Sequence, residues 1–174
     1  MSDKNGWSGT IRGMPIEGAV AERSQRMGQR DVELFTEITG DRNPLHFDVE
    51  AARDSLFGGL IVQGGVTSGI LNALVAEDLP GPGSVFLSVE WRFVKAVYIG
   101  DTITGRIEVT HVREDKPICK LATTVRNQNG EICLSGTATT YTAPLQRREP
   151  AVSEMAVPSP GVQAARRDDR RSHT

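Results

Sequence analysis

Apolar residues recur at helical spacing in the first third of the chain. Between residues 31 and 39 they fall at every third position, which predicts a short helix that Asp31 caps and Gly40 ends. These apolar positions are Val32, Phe35 and Ile38. A second helical turn is predicted over residues 49–55.

A longer helix is predicted over residues 66–76. Its apolar stripe consists of Val66, Ile70, Leu71, Leu74 and Val75. Gly69 and Ala73 lie on the same stripe, so we expect another element to pack very close to them. Gly64 and Gly65 precede this helix, and Pro80 follows it.

Beyond residue 84 the apolar period changes to two, which is typical of strands with one buried face. Four such strands follow one another, and turn residues at 100–101, 116–117 and 129–130 separate them. Their expected core positions are Val85, Leu87, Val89, Trp91 and Phe93; Ile103, Ile107 and Val109; Cys119, Leu121, Thr123 and Val125; and Ile132, Leu134, Gly136 and Ala138. An earlier strand is predicted within residues 18–27.

One small-residue helix followed by antiparallel strands indicates an α+β fold, in which a curved sheet wraps around a central helix. The sheet edges need a partner, and edge pairing in a homodimer, or a multiple of dimers, is the expected solution. The periodic patterning is confined to residues 17–143. We therefore expect residues 1–16 to be a loose lead-in and the Pro- and Arg-containing residues 144–174 to be a disordered tail.

Composition is that of an ordinary globular protein, with 38% hydrophobic and 24% charged residues. The formal net charge of −2 favours neither nucleic acid nor an anionic membrane as a partner. No apolar run approaches the ~20 residues that span a bilayer, and no secretory signal is recognised after Met1. A cytoplasmic location is the resulting expectation.

The two cysteines, Cys119 and Cys133, are predicted to be free, buried thiols. A two-residue turn at Asn129-Gly130 would place Gln128 opposite Glu131. The cysteines are then offset by seven positions, or about 23 Å at the rise of an extended chain. A disulfide requires α-carbons within about 7 Å.

The most informative stretch is the turn of residues 40–48, where Gly, Asp, Asn and Pro cluster. Asp41 and His46 lie five residues apart across Pro44 and can point at one spot. An imidazole exchanges a proton near neutral pH, and a carboxyl group can make the complementary transfer. The simpler interpretation is that Asp41 caps the turn and His46 fills a core niche.

This turn resembles the signature of the (R)-specific enoyl-CoA hydratases, the MaoC-like branch of the hot-dog fold. The signature runs roughly S/T-G-D-x-N-P-L-H-x-D and then Ala. The matching residues are Thr39, Gly40, Asp41, Asn43, Pro44, Leu45, His46, Asp48, Ala51 and Ala52. Similar segments recur at residues 57–62, 79–84, 100–101 and 113–117, so the resemblance covers about residues 17–143.

The resemblance implies that Asp41 and His46 bind and position the water that adds to a 2-enoyl thioester. It leaves open which of them is base and which is acid. Gly64 matches the glycine of the oxyanion hole, Gly65 follows it at the helix start, and Asn72 aligns with a helix position that often carries a serine lining the acyl site. One departure is that the family usually has His-Gly here, whereas this chain has Gln63-Gly64.

The resemblance also implies an acyl-CoA substrate, with an acyl carrier protein as the alternative carrier, and no cofactor, since coenzyme A is part of the substrate. No metal-ligand spacing is apparent. Two other functions remain open. A hot-dog thioesterase would hydrolyse the thioester, although several such enzymes use an acidic residue on the central helix and residues 66–76 contain none. A non-catalytic module would only bind the acyl thioester.

Overall fold

The computed structural model describes residues 5–145. The elements in chain order are β1 (Val20–Arg26), α1 (Gln29–Thr39), a 3₁₀ turn (Pro44–His46), α2 (Val49–Asp54), α3 (Gly64–Ala73), a π-helical turn (Leu74–Asp78), β2 (Ser84–Phe93), β3 (Thr102–Val112), β4 (Ile118–Arg126) and β5 (Ile132–Thr142). The predicted helices and all five predicted strands are therefore present. No helix within residues 5–145 has the length and apolarity needed to cross a membrane.

The five strands form one antiparallel sheet in the order β1-β3-β4-β5-β2, with α3 packed against one face. Contact with that helix is closest at Gly105 in β3, where a β-carbon would lie 2.8 Å from Cγ2 of Ile70 and 3.1 Å from Cδ1 of Leu74. The glycine lets the helix approach the sheet backbone. The expected arrangement of a curved sheet around a central helix is confirmed.

The core lies between α3 and the sheet, and alternation sets which strand residues reach it. The predicted inward positions of β3 and β4 are confirmed, since all of them are buried. Leu71 and Leu74 of the helical segment, both fully buried, meet them from the other side. The opposite face of β3 is polar, and there Arg106 pairs with Glu22 and Glu108.

Strand β2 departs from the predicted alternation. Phe86 pairs with Thr140 and Ser88 with Thr139, so Leu87 is an extra residue in a β-bulge. Before the bulge it is Phe86 that packs onto the core, whereas Val85 and Leu87 are exposed. The prediction that Val85 and Leu87 face the core is therefore wrong, because a bulge reverses the phase of alternation. Beyond the bulge Trp91 packs onto the core as predicted, whereas Val89 and Phe93 are 45% and 55% exposed in the protomer.

The helices differ from the predictions in detail. Helix α1 begins at Gln29, and Asp31 acts from its first turn, where its Oδ2 accepts the Gly28 N–H at 2.7 Å. Its buried stripe contains Val32 and Thr36, whereas Ile38 is 83% exposed. Thr36 is four residues after Val32 and lies on nearly the same helix face, whereas Ile38 is six residues after Val32 and points away.

Gly69 of α3 also contradicts its prediction. Apart from its chain neighbours and the backbone of its own helix, no atom lies within 4 Å of a β-carbon built on it, so no other element packs close there in the protomer. The close approaches are instead at Gly105, described above, and at Gly65, where a β-carbon would overlap the ring of Phe35. The apolar stripe of α3 is centred on Ile70, Leu71 and Leu74, and Gly69 lies at its border.

The described part of the predicted lead-in is packed onto the domain. Trp7 is 2% exposed, belongs to the core cluster and donates from Nε1 to the carbonyl of Arg113 at 2.7 Å. This segment is therefore tied to the domain at Trp7, because a single indole can bury enough surface to anchor a short chain. Nearly all of the predicted tail, residues 146–174, lies outside the described residues.

Both cysteines are free and buried, as predicted. Cys119 pairs with Thr140 and Leu121 with Ala138. This is the predicted register for these residues, although next to the turn it shifts by one at a bulge, where Arg126 pairs with Ile132 and the Asn127 N–H donates to the Glu131 carbonyl. Burial raises the pKa of the Cys119 thiol above its ordinary value, although a hydrogen bond with Thr140 partly offsets the effect.

Candidate active site

The segment that carries Asp41 and His46 is fixed by its own backbone preferences. Gly40 ends α1 with a φ of 78°, a left-handed conformation that glycine adopts without strain. Asn43 then caps the 3₁₀ turn by accepting the Leu45 N–H at 3.1 Å, and Pro44 occupies its first position. The next helix begins at once, with the Asp48 carboxylate accepting two backbone N–H groups. His46 is thereby held at a defined place.

Asp41 and His46 face each other. The Oδ2 atom of Asp41 lies 3.7 Å from Nε2 of His46, and the two side chains are 40% and 8% exposed, respectively. The other carboxylate oxygen, Oδ1, accepts the Asn43 N–H at 3.1 Å. A half-exposed carboxylate beside a buried imidazole leaves one side of the pair open to a small reactant such as water.

The histidine has a defined tautomer. Its Nδ1 lies 2.8 Å from the carbonyl oxygen of Ile61, which can only accept a hydrogen bond. Nδ1 therefore carries the proton in the neutral ring, and Nε2 presents its lone pair toward Asp41. This is the arrangement of an imidazole base oriented by a second group.

A cavity of about 330 Å³ is connected to this pair through Ile61, whose backbone carbonyl holds His46 and which also lines the cavity. Asp41 and His46 are not themselves among the lining residues. The remaining wall includes Phe57, Val62, Gly64, Thr67, Phe93 and Lys95. The cavity is therefore mainly apolar, with one basic residue in its wall. That lysine is paired with Glu131, which raises the lysine's pKa.

The first turn of α3 forms one wall of the cavity. Gly64 is its first residue and lines the cavity, with a β-carbon position 3.2 Å from the Phe93 ring. The helix bonds begin with the N–H groups of Val66 and Thr67, which donate to the Gln63 carbonyl. The N–H groups of Gly64 and Gly65 belong to the unpaired first turn and are available to an oxygen atom.

The structure brings together some of the five predicted site residues, but not all of them. Asp41 and His46 come together, and Gly64 reaches the cavity. Gly65 packs on Phe35 and offers only its backbone. Asn72 is exposed on α3 and is not among the residues that line the cavity, so its predicted place in the acyl site finds no support in the protomer.

Three groups at this site were not found from the sequence. They are the Ile61 carbonyl, the Thr36 hydroxyl and the Gln63 amide, which bonds to Thr36 at 3.0 Å. A backbone carbonyl leaves no trace in a sequence pattern. The signal for Thr36 was its position four residues after Val32, on the buried face of a helix where a polar side chain needs a partner. Within residues 5–145, no three His, Cys, Asp or Glu side chains are grouped to hold a metal ion.

Comparison with known proteins defines the family. Residues 12–130 match the model of the MaoC like domain. The chain belongs to the MaoC-like family. This MaoC-like domain is 37% identical over 121 residues to an (R)-specific enoyl-CoA hydratase of Aeromonas caviae, a match that covers 70% of this chain and 90% of the relative.

Two further relatives of the MaoC-like domain agree with this assignment. A 3-hydroxybutyryl-CoA dehydratase of Methylorubrum extorquens is 33% identical over 131 residues, which are 75% of this chain and 83% of that protein. The solved structure of an (R)-hydratase from A. caviae involved in PHA biosynthesis superposes with a TM-score of 0.71 and 35% identity. It covers 74% of this chain and 98% of its own. The fold is the predicted hot-dog fold.

Proposed function

We propose that this MaoC-like domain is an (R)-specific enoyl-CoA hydratase, which adds water reversibly to a 2-enoyl thioester and, in reverse, dehydrates a 3-hydroxyacyl-CoA. The observation that carries the proposal is the geometry of His46. Its Nδ1 is held by the carbonyl of Ile61, a residue that lines a mainly apolar cavity, and its Nε2 lone pair points to Asp41 across 3.7 Å. The hydratase and dehydratase relatives support the reaction type.

In the proposed reaction each group has a role. His46 Nε2 takes a proton from water while the water oxygen bonds to the β-carbon of the substrate. The electron pair of the double bond moves toward the thioester carbonyl, whose oxygen gains negative charge. The free N–H groups of Gly64 and Gly65 hold that oxygen. In this division of roles Asp41 enters the cycle as the protonated acid and delivers that proton to the α-carbon. Proton transfer from His46 to the resulting Asp41 carboxylate restores the pair.

The opposite division of the acid and base roles is also chemically possible, because both side chains can carry a proton and they face the same space. What the geometry favours is a free Nε2 lone pair in the neutral ring, which suits His46 to the role of base in the hydration direction. In dehydration the same atom, protonated, would donate to the departing hydroxyl group.

The proposal is tested by following the ultraviolet absorbance of the conjugated thioester in crotonyl-CoA, with chiral analysis of the product. We expect loss of the conjugated absorbance and the (R)-3-hydroxy product. Formation of the (S) product, or no hydration at all, would contradict the proposal. A parallel measurement with crotonyl-acyl carrier protein compares the two carriers.

A thiol reagent in the same assay separates hydration from thioester hydrolysis. Release of free coenzyme A without hydration would indicate a thioesterase. The structure favours hydration, because Glu77 and Asp78, the acidic residues of the helical segment 64–78, lie at its far end and Asp78 is paired with Arg23. Tight binding of the thioester without either reaction would indicate a non-catalytic module.

The proposal includes assembly as a homodimer, or a multiple of dimers, through the free edge of β2. That edge is rich in exposed apolar side chains, namely Val85, Leu87, Val89 and Phe93. The other free edge, β1, carries Glu22, Arg23 and Arg26 among its seven residues. An apolar edge is suited to pair with a second copy about a two-fold axis, whereas a charged edge resists pairing.

The proposal also includes turnover without a cofactor or metal and a cytoplasmic location. Dialysis against a chelator should leave the rate of crotonyl-CoA hydration unchanged, and loss of the rate with recovery on adding a divalent cation would contradict this part. Cell fractionation tests the location.

A further inference from the structure

Gln63 occupies an unusual place in the site. It precedes the first turn of α3, so its backbone adjoins the free N–H groups of Gly64 and Gly65, and its side chain is buried, with the residue 2% exposed. The side chain reaches away from those N–H groups to α1. There Nε2 lies 3.0 Å from the Thr36 hydroxyl and 3.3 Å from the Val32 carbonyl.

The direction of these hydrogen bonds is fixed by chemistry. The Thr36 hydroxyl lies 2.8 Å from the backbone carbonyl of Asp41, which can only accept, so the single hydroxyl proton is donated there. Thr36 must then accept from Gln63. The Val32 carbonyl also requires a donor, so both neighbours select the Nε2 end of the amide.

We propose that Gln63 and Thr36 are positioning residues, which set Asp41 relative to the start of α3 through the hydrogen-bond chain Gln63–Thr36–Asp41. One end of this chain adjoins the N–H groups that would hold the thioester oxygen. Its other end is the backbone carbonyl of Asp41, whose side chain faces His46. The inference rests on the proposed hydratase function and adds two residues that do not touch the reacting atoms.

The unpaired oxygen of Gln63 supports a positioning role over simple core filling. Oε1 is the one buried side-chain nitrogen or oxygen in residues 5–145 that has no hydrogen-bond partner. A buried acceptor without a partner lowers the stability of a fold. A leucine of similar size would fill the same space without that cost, so the amide contributes less to the stability of the fold than to the alignment of Thr36.

The experiment uses two near-isosteric variants of the full chain, Gln63→Leu and Thr36→Val. Each breaks the chain without opening a cavity. We expect kcat for crotonyl-CoA to fall about 10- to 100-fold, because a small misplacement of a catalytic group has effects of this size. The KM should change much less, and the melting temperature of Gln63→Leu should stay the same or rise.

Three controls separate alignment from a general effect of mutation. Thr36→Ser keeps the hydroxyl and should retain most of kcat. The double variant should be no slower than the slower single variant, because both changes interrupt one chain. Ser84→Ala removes a different buried hydroxyl pair, that of Ser84 and Thr142 at 2.9 Å, and should not change kcat.

A spectroscopic readout makes the test independent of turnover. The chain has three histidines, so the ring nitrogen signals of His46 can be assigned by comparison with His46→Ala. In Gln63→Leu and Thr36→Val these signals should move, because Asp41 shifts beside Nε2. They should not move in Ser84→Ala.

The outcomes are distinguishable. If the wild type does not hydrate crotonyl-CoA, the proposed function fails. The His46 signals then test the positioning inference by themselves, and unchanged signals in both variants overturn that inference. If the wild type is active and both variants keep kcat within about twofold of it, the positioning inference fails while the hydratase function stands. A fall in kcat that follows a loss of thermal stability in both variants also overturns it.

Discussion

At the scale of single residues, the proposed catalytic centre combines the free Nε2 atom of His46 with the Asp41 side chain 3.7 Å away. The ring is held by one hydrogen bond at Nδ1, and that partner is a backbone carbonyl. Substitution of Ile61 by another apolar residue would leave this bond in place. The orientation of His46 is therefore protected from most changes to the cavity wall.

Asp41→Asn and His46→Ala should each lower kcat by about 10²–10⁴, the range expected for losing a positioned acid or base. The measurement is initial-rate hydration of crotonyl-CoA with substrate at saturation. The matched controls are Asp54→Asn, an exposed carboxylate paired with Arg53, and His111→Ala, an exposed histidine paired with Glu17. Retention of more than about half of the wild-type rate by either dyad variant would exclude that residue from the chemistry.

The pairing of Asp41 with His46 could be predicted because it is local. Gly40, Asn43 and Pro44 have strong conformational preferences of their own, so five residues of sequence fix the turn that brings the two side chains together. Gln63 and Thr36 are 27 residues apart and meet only after α1 packs beside α3. No periodic pattern within one segment contains that contact.

At the scale of elements, the rotation of α3 about its axis determines which residues meet the sheet. The sequence placed Gly69 on the packed face, whereas the structure directs Ile70 and Leu74 at the sheet and leaves the position of Gly69 open. The residue that permits close approach is Gly105, on the strand. An apolar stripe predicts the rotation of a helix about its axis only to within about one residue position, because the stripe is about 100° wide or more and its centre is poorly defined.

A matched pair of glycine variants tests this rotation. Gly105→Ala should destabilise the protein by about 1–3 kcal/mol, because the new methyl group would overlap Ile70 and Leu74. Gly69→Ala should leave stability unchanged or raise it by up to about 1 kcal/mol, because alanine favours a helix and no atom is near. Chemical denaturation of both variants measures the difference. The opposite ranking would show that α3 is rotated from the position described.

The strands illustrate which part of a sheet a sequence can specify. Alternation in β3 and β4 is regular, and their core positions followed from it. In β2 the alternating residues are mostly apolar on both faces around the bulge, so the pattern does not show where the phase changes. The position of a bulge depends on the pairing with β5, which is a tertiary property.

At the scale of the whole molecule, Trp7 connects the N-terminal segment to the domain. Trp7→Ala should lower the free energy of unfolding by about 3–5 kcal/mol, the usual cost of removing a buried large side chain. Trp7→Phe should cost less, because it keeps most of the apolar contact and loses only the bond to Arg113. Equilibrium denaturation distinguishes the three proteins. An alanine variant as stable as the wild type would mean that the segment does not contribute to the core.

Assembly is tested by light scattering at micromolar concentration, where we expect the mass of a dimer or of a multiple of dimers. Val89→Lys places a charge on the apolar edge and should shift the protein toward the monomer. Val20→Lys is the matched control, since both valines are 45% exposed and Val20 lies on the charged edge. A fully active wild-type monomer, or equal effects of the two variants, would argue against pairing through β2.

The bulge in β2 has a consequence for the length of the chain. Deleting a residue from a regular strand moves every residue on one side of the deletion to a new partner and to the opposite face. Leu87 has no partner of its own, because Phe86 and Ser88 already pair with the adjacent Thr140 and Thr139. The chain can therefore lose Leu87 while every other pair between β2 and β5 is kept, so a one-residue gap at this point in an alignment of sequences is compatible with an unchanged fold.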